Sequence, residues 1–215
     1  SGASTIWWNF RRAPGFFDEV CYTANSVNGR TINHNLTVAP EFTIFKSRSA
    51  TSQWYIWHNS FTLSQEIYFN TSAIQSGGIF TSAPTSSAIF ASSGNINFSG
   101  FGNVVAYLFA SVAGVSKVGS YTGTGALQTV NCGFTGGARF VLIKRTDSTG
   151  DWWVYDSARG ISSGNDPYIL INVPGVAQVT GTNYVDTTSV GFQVTAAAPA
   201  GLNANGGTYI FLAIA

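Results

Sequence analysis

One unit of about a hundred residues is written twice in this chain, and that periodicity limits the possible folds more than any other feature. "TINHNL", "EFTIFKSRS" and "QWYIWHN" return as "TVNCGF", "RFVLIKRTD" and "DWWVYDS". At an offset of 98 positions, Asn33, Phe42, Lys46 and Trp54 fall on Asn131, Phe140, Lys144 and Trp152. Apolar character recurs at Ile32 and Val130, at Ile44 and Leu142, and at Ile56 and Val154. A duplicated unit has to bury the same face twice, either in two separate sandwiches or in one shared core, and the sequence leaves both open.

The periodicity within each copy is that of strands. "FTIFK", "FVLIK", "WYIWH" and "WWVYD" are rich in β-branched and aromatic residues, and turn signals such as "VNG", "TGG", "STGD" and "NGG" separate them. No stretch combines helical period with capping residues. The expectation is an all-β chain, an antiparallel β-sandwich or jelly roll built from two tandem repeats. With 45% hydrophobic residues there is ample material for a core.

At an offset of 99, Phe10, Gly15, Tyr22 and Thr23 match Phe109, Gly114, Tyr121 and Thr122. Thr5 to Phe10 therefore reads as a closing strand like Val104 to Phe109, left from a preceding repeat, with Arg11 to Pro14 as a linker. The expected division is 1–14 as closing strand and linker, 15–113 as the first repeat and 114–215 as the second.

Chemistry-bearing residues are sparse. A net charge of +1 offers no general attraction for nucleic acid or anionic membrane. The longest apolar run, Val104 to Val115, is too short to span a bilayer as a helix, which takes roughly 18 residues or more. Cys21 and Cys132 show no framework spacing and read as small, buried or half-buried thiols, with a bridge as the lesser option. The best carboxylate pair for glycoside chemistry, Asp151 and Asp156, sits five apart on one expected strand, so the two side chains point to opposite faces. Two histidines, His34 and His58, without a G-x-S-x-G elbow give no triad, and two His with two Cys give no zinc spacing. "DSTGD" reads as a hairpin turn rather than a calcium loop. The expectation is a non-enzyme without metal or cofactor.

Aromatic residues are the remaining resource. Trp54 and Trp152, being the repeated pair, are expected in the core. Trp57, Trp153 and Tyr155 vary between the copies and, with Asp151, are the candidate ligand-binding residues: outward rings stack on the apolar faces of sugars while neighbouring polar groups bond hydroxyls. Lys46 and Lys144, repeated charges, are expected to serve structure.

Several segments resemble a known family: "FRRAPGFFDEVCYT", "GVSKVGSYTGTG", "CGFTGGARFVLIKRTDSTGDWWVYDSARG", "NDPYILIN" and "LNANGGTYIFLAIA". They are similar to a repeated domain near the C-terminal ends of tailed-bacteriophage structural proteins, especially tail-fibre proteins of marine and cyanobacterial phages. The resemblance implies a lectin-like β-sandwich on a virion appendage and a homo-oligomer, such as the trimers common in fibres. It implies partners among other virion proteins and on the bacterial surface, where a glycan or protein receptor is the expected ligand. No catalytic or binding residue is carried over from it. A purely structural virion domain is the alternative function, and a glycan depolymerase a weaker one.

Overall fold

The computed structural model describes residues 6–71, 74–161, 164–175 and 178–215, with backbone alone at 74–76. The first half of the chain forms β1 (Phe17–Thr23), β2 (Arg30–Asn33), β3 (Phe42–Ser47), β4 (Tyr55–His58), β5 (Gln65–Tyr68), β6 (Ile74–Ser76), β7 (Phe80–Ser82), β8 (Ala88–Ala91) and β9 (Asn103–Phe109). The second forms β10 (Ser116–Thr122), β11 (Gln128–Asn131), β12 (Phe140–Arg145), β13 (Trp152–Asp156), β14 (Tyr168–Leu170), β15 (Val185–Thr188), β16 (Gly191–Val194) and β17 (Thr208–Ile214). A single helical turn, α1 (Ala200–Asn203), precedes β17.

All the pairings are antiparallel, and they follow one scheme in both halves. A large sheet of order β1-β9-β3-β4-β5-β6 faces a small one of order β2-β8-β7; in the second half β10-β17-β12-β13-β14 faces β11-β16-β15. The tight turns that open β1 and β10 also match. Ala13 bridges Phe17 and Val112 bridges Ser116, around Gly15 (φ 76°) and Gly114 (φ 72°), a left-handed conformation that side chains with a Cβ rarely adopt.

Strand alternation sorts the apolar side chains into three cores. In β13, Trp153 and Tyr155 point into the sandwich of the second half, together with Val141, Ile143, Phe192 and Phe211. Trp152 and Val154 point the other way, into a cluster with Phe42, Ile56, Ile67 and Phe109 from the first half. Phe45, Trp57, Ala106 and Leu108 fill the sandwich of the first half. The molecule is thus four sheets deep: each half closes its own sandwich, and the two large sheets pack against each other through the middle cluster. Each large sheet is buried on both faces, which is why its strands are near-continuously apolar rather than half polar.

Residues 6–12 form no strand, so the closing strand expected over 5–10 is not found; Thr5 lies outside the described residues. The slot such a strand fills, between β1 and β3, is already taken by β9. The rings of Trp8 and Phe10 settle instead on the seam between the two large sheets.

Candidate functional site

That seam opens into a cleft of about 810 Å³. Its floor comes from the outward ends of the middle cluster: Ile44, Tyr107 and Phe109 from the first half, and Leu142, Ile169 and Leu212 from the second. Trp54, Phe69 and Asn70 form one wall at the β4–β5 hairpin, and Trp8, Asn9 and Phe10 form another.

A ladder of rings runs from the mouth inward. Trp54 is half-buried and tilted against Phe69 at 6.2 Å, Phe69 meets Trp152 at 5.1 Å, and Trp152 meets Phe42 edge-on at 6.4 Å. The Trp152 indole donates to the backbone oxygen of Tyr68 across the seam at 2.9 Å, so a buried ring of one half is tied to a hairpin of the other. Lys46 places its ammonium 5.6 Å from the Trp54 ring centre while donating to Ser52 O at 2.6 Å. Polar groups at the cleft are few. The Asn70 side-chain oxygen accepts the Trp54 backbone N–H at 3.1 Å. Glu19 is the one carboxylate among the described lining residues, and burial, then the charge of Glu19, raise the pKa of the Tyr107 hydroxyl. One carboxylate does not make the acid–base pair of a glycosidase.

The candidate ligand residues read from the sequence lie elsewhere. Trp57 is buried edge-on to Phe80, Trp153 packs on Tyr168 at 4.6 Å, and Tyr155 is fully buried. None presents a face to solvent, because the face of each large sheet expected to look outward is covered by the small sheet of the same half. Asp151 is half-buried and accepts the side-chain amide of Asn172 at 2.8 Å, apart from the cleft. Asp156 bonds the Trp8 indole and pairs with Arg159. Of the repeated tryptophans expected in the core, Trp152 is there and Trp54 lines the cleft. The two lysines serve structure: Lys144 donates to Gly150 O at 2.6 Å as Lys46 does to Ser52 O, each closing its own hairpin, and burial depresses the Lys144 pKa to about 8. "DSTGD" is a hairpin loop in which Asp147 pairs with Arg145 and is held near pKa 2 chiefly by it. Both cysteines are free thiols, Cys132 buried and Cys21 exposed rather than half-buried. Trp54 escapes the sequence reading because equivalence between copies is taken to mean equivalent burial, and Trp8 and Phe10 because their segment reads as a closing strand.

Among the described residues no cluster of three or more His, Cys, Asp or Glu is placed to hold a metal ion, and no helix is long and apolar enough to cross a membrane. The match to known sequences runs through both halves: residues 10–215 fit the profile of a Domain of unknown function (DUF7483). The chain belongs to this family. The matched residues include both sandwiches and every described lining residue of the cleft except Trp8 and Asn9. No curated protein and no solved structure matches the chain.

Proposed function

We propose that this domain is a non-catalytic recognition module of a phage virion appendage, and that its cleft takes a carbohydrate of the bacterial surface. The observation that carries the reading is the cleft itself: an aromatic-walled groove in which Trp54 offers a half-buried ring beside Asn70, while the other tryptophan-rich strand faces are buried. An apolar sugar face stacks on such a ring, and an amide beside it serves a hydroxyl. The setting on a tail fibre, assembly with other virion proteins and a trimeric state rest on the sequence resemblance.

The test is a glycan array and a host-cell binding assay with the wild-type protein and Trp54→Ala. Loss of the stacking ring from the wall of the cleft is expected to weaken binding about tenfold or more. Absence of binding to any host surface material by the wild type overturns the reading. It then favours a structural virion domain, for which the 79% exposed Trp7 offers a subunit contact.

A further inference from the structure

We propose that residues 6–12 are a hinged flap over the cleft, closed in this structure, whose opening admits a ligand to the seam and whose rings then form part of the bound wall. The inference does not depend on which ligand the cleft takes.

Among the described residues the flap is held by side chains alone. Among the described residues, the first backbone hydrogen bond along the chain is Ala13 N–H to Phe17 O at 2.9 Å. From there the chain is fixed to the body, with Gly15 N–H donating to Leu36 O at 2.6 Å. Upstream, the Trp8 indole donates to Asp156 at 3.1 Å, its ring stands edge-on to Phe140 at 5.5 Å, and the Arg159 guanidinium lies 5.5 Å from the ring centre. Phe10 packs on Phe17 and Phe109 of the first half and on Phe140 of the second. Trp8 and Phe10 nevertheless remain 38% and 37% exposed. A segment with few buried contacts and no backbone pairing opens locally at little cost, without unfolding of the domain.

The hinge is equally well marked. Arg12 donates to Glu19 O and lies 3.4 Å from Asp18, which clamps the chain to the edge of β1 next to Pro14 and the Gly15 turn. Ahead of that clamp Trp8, Asn9 and Phe10 line the cleft, so lifting them uncovers the apolar ends of the two large sheets and enlarges the groove.

Trypsin reports the motion directly, because Arg11 and Arg12 are exposed and lie at the hinge. Cleavage there in the folded protein is followed by mass spectrometry for the wild type, Trp8→Ala, Phe10→Ala and, as control, Trp7→Ala. Removing the Trp8 ring takes away an aromatic pair, a cation–π contact and a charged hydrogen bond. Cleavage after Arg11 and Arg12 is then expected to rise about tenfold or more, with no rise at Arg48 or Arg139. Phe10→Ala is expected to act in the same direction, and Trp7→Ala to leave the rate unchanged. The wild-type rate is expected to be insensitive to sub-denaturing urea, since a local opening exposes little surface. The dye 8-anilinonaphthalene-1-sulfonate is expected to brighten with Trp8→Ala as the seam is uncovered. Equal rates for the wild type, Trp8→Ala and Phe10→Ala overturn the proposal, as does a wild-type rate that follows urea as global unfolding does. Loss of glycan binding in the array with the flap behaviour intact overturns only the ligand assignment.

Discussion

His58 shows how the position of one side chain sets a property of the whole chain. It ends β4 on the face turned toward the second half and is buried there, its Nδ1 accepting the Ser60 N–H at 3.1 Å. Burial lowers its pKa to about 4, and a backbone contact with Gly119 of the other half offsets this only in part. Above pH 6.5 the residue is neutral in both folded and unfolded chains, and its contribution is constant. As the pH falls from 6.5 to 4, the unfolded chain takes up a proton that the folded one refuses, so stability is lost, by about 3 kcal/mol in all. Urea unfolding from pH 7.5 to pH 4 is expected to show this slope in the wild type and to show it reduced in His58→Asn, which keeps an acceptor where Nδ1 stood. The comparison within one pH series removes the opposing contributions of Glu66 and Asp166, whose pKa values burial raises. Single residues were also where the sequence misled. Trp153 and Tyr155 were expected to stand outward because alternation gives a strand two faces; what alternation does not state is whether the second face is covered. The clue was present in "WWVYD", where both faces are apolar, the pattern of a strand buried on both sides.

At the scale of elements, the strands and their hairpins were legible because β-branched and aromatic runs broken by glycine turns leave few alternatives. What pins the long loops was not. Asn203, buried at the end of α1, donates to Ala126 O at 2.9 Å and to Thr195 O at 3.0 Å, and accepts from Thr124 N at 3.0 Å and from Gln128 at 2.9 Å. Asn97 does the same work before β9, donating to Val27 O at 2.7 Å and to Asn25 at 3.0 Å. The two stand outside the 98-residue offset because the connections leading to them differ in length, so the ungapped register of the copies does not bring them together. Tyr22 and Tyr121 complete each pin by donating to Ile96 O and Leu202 O, both at 2.7 Å. Asn203→Ala deletes these four Asn203 bonds and a fifth, from Gly125 N–H at 3.3 Å, and strands the groups that made them. The expected cost is about 3 kcal/mol, read as a lowered midpoint in thermal or urea unfolding with the slope unchanged.

For the whole molecule, the decisive fact is that the middle cluster belongs to neither half. Leu142, Trp152, Val154, Ile210 and Leu212 supply one side of it, and Phe17, Phe42, Ile56, Ile67 and Phe109 the other. Separating the halves exposes a contiguous apolar sheet face on each, far from the scattered apolar residues a soluble surface tolerates, and breaks the Trp152 bond to Tyr68 O. The sequence left open whether two copies fold apart or together, because the residues that answer it are apolar in either case; only their pairing across the seam decides. The full chain is therefore expected to unfold in one transition, with calorimetric and van't Hoff enthalpies equal, since neither large sheet is stable without its partner. Residues 114–215 expressed alone are expected to associate or to bind 8-anilinonaphthalene-1-sulfonate strongly, and mixing them with residues 6–113 to restore the bound, dye-excluding state. Two separate transitions in the full chain, or a monomeric 114–215 that excludes the dye, would show that each sandwich suffices by itself and that the seam is a contact between finished domains.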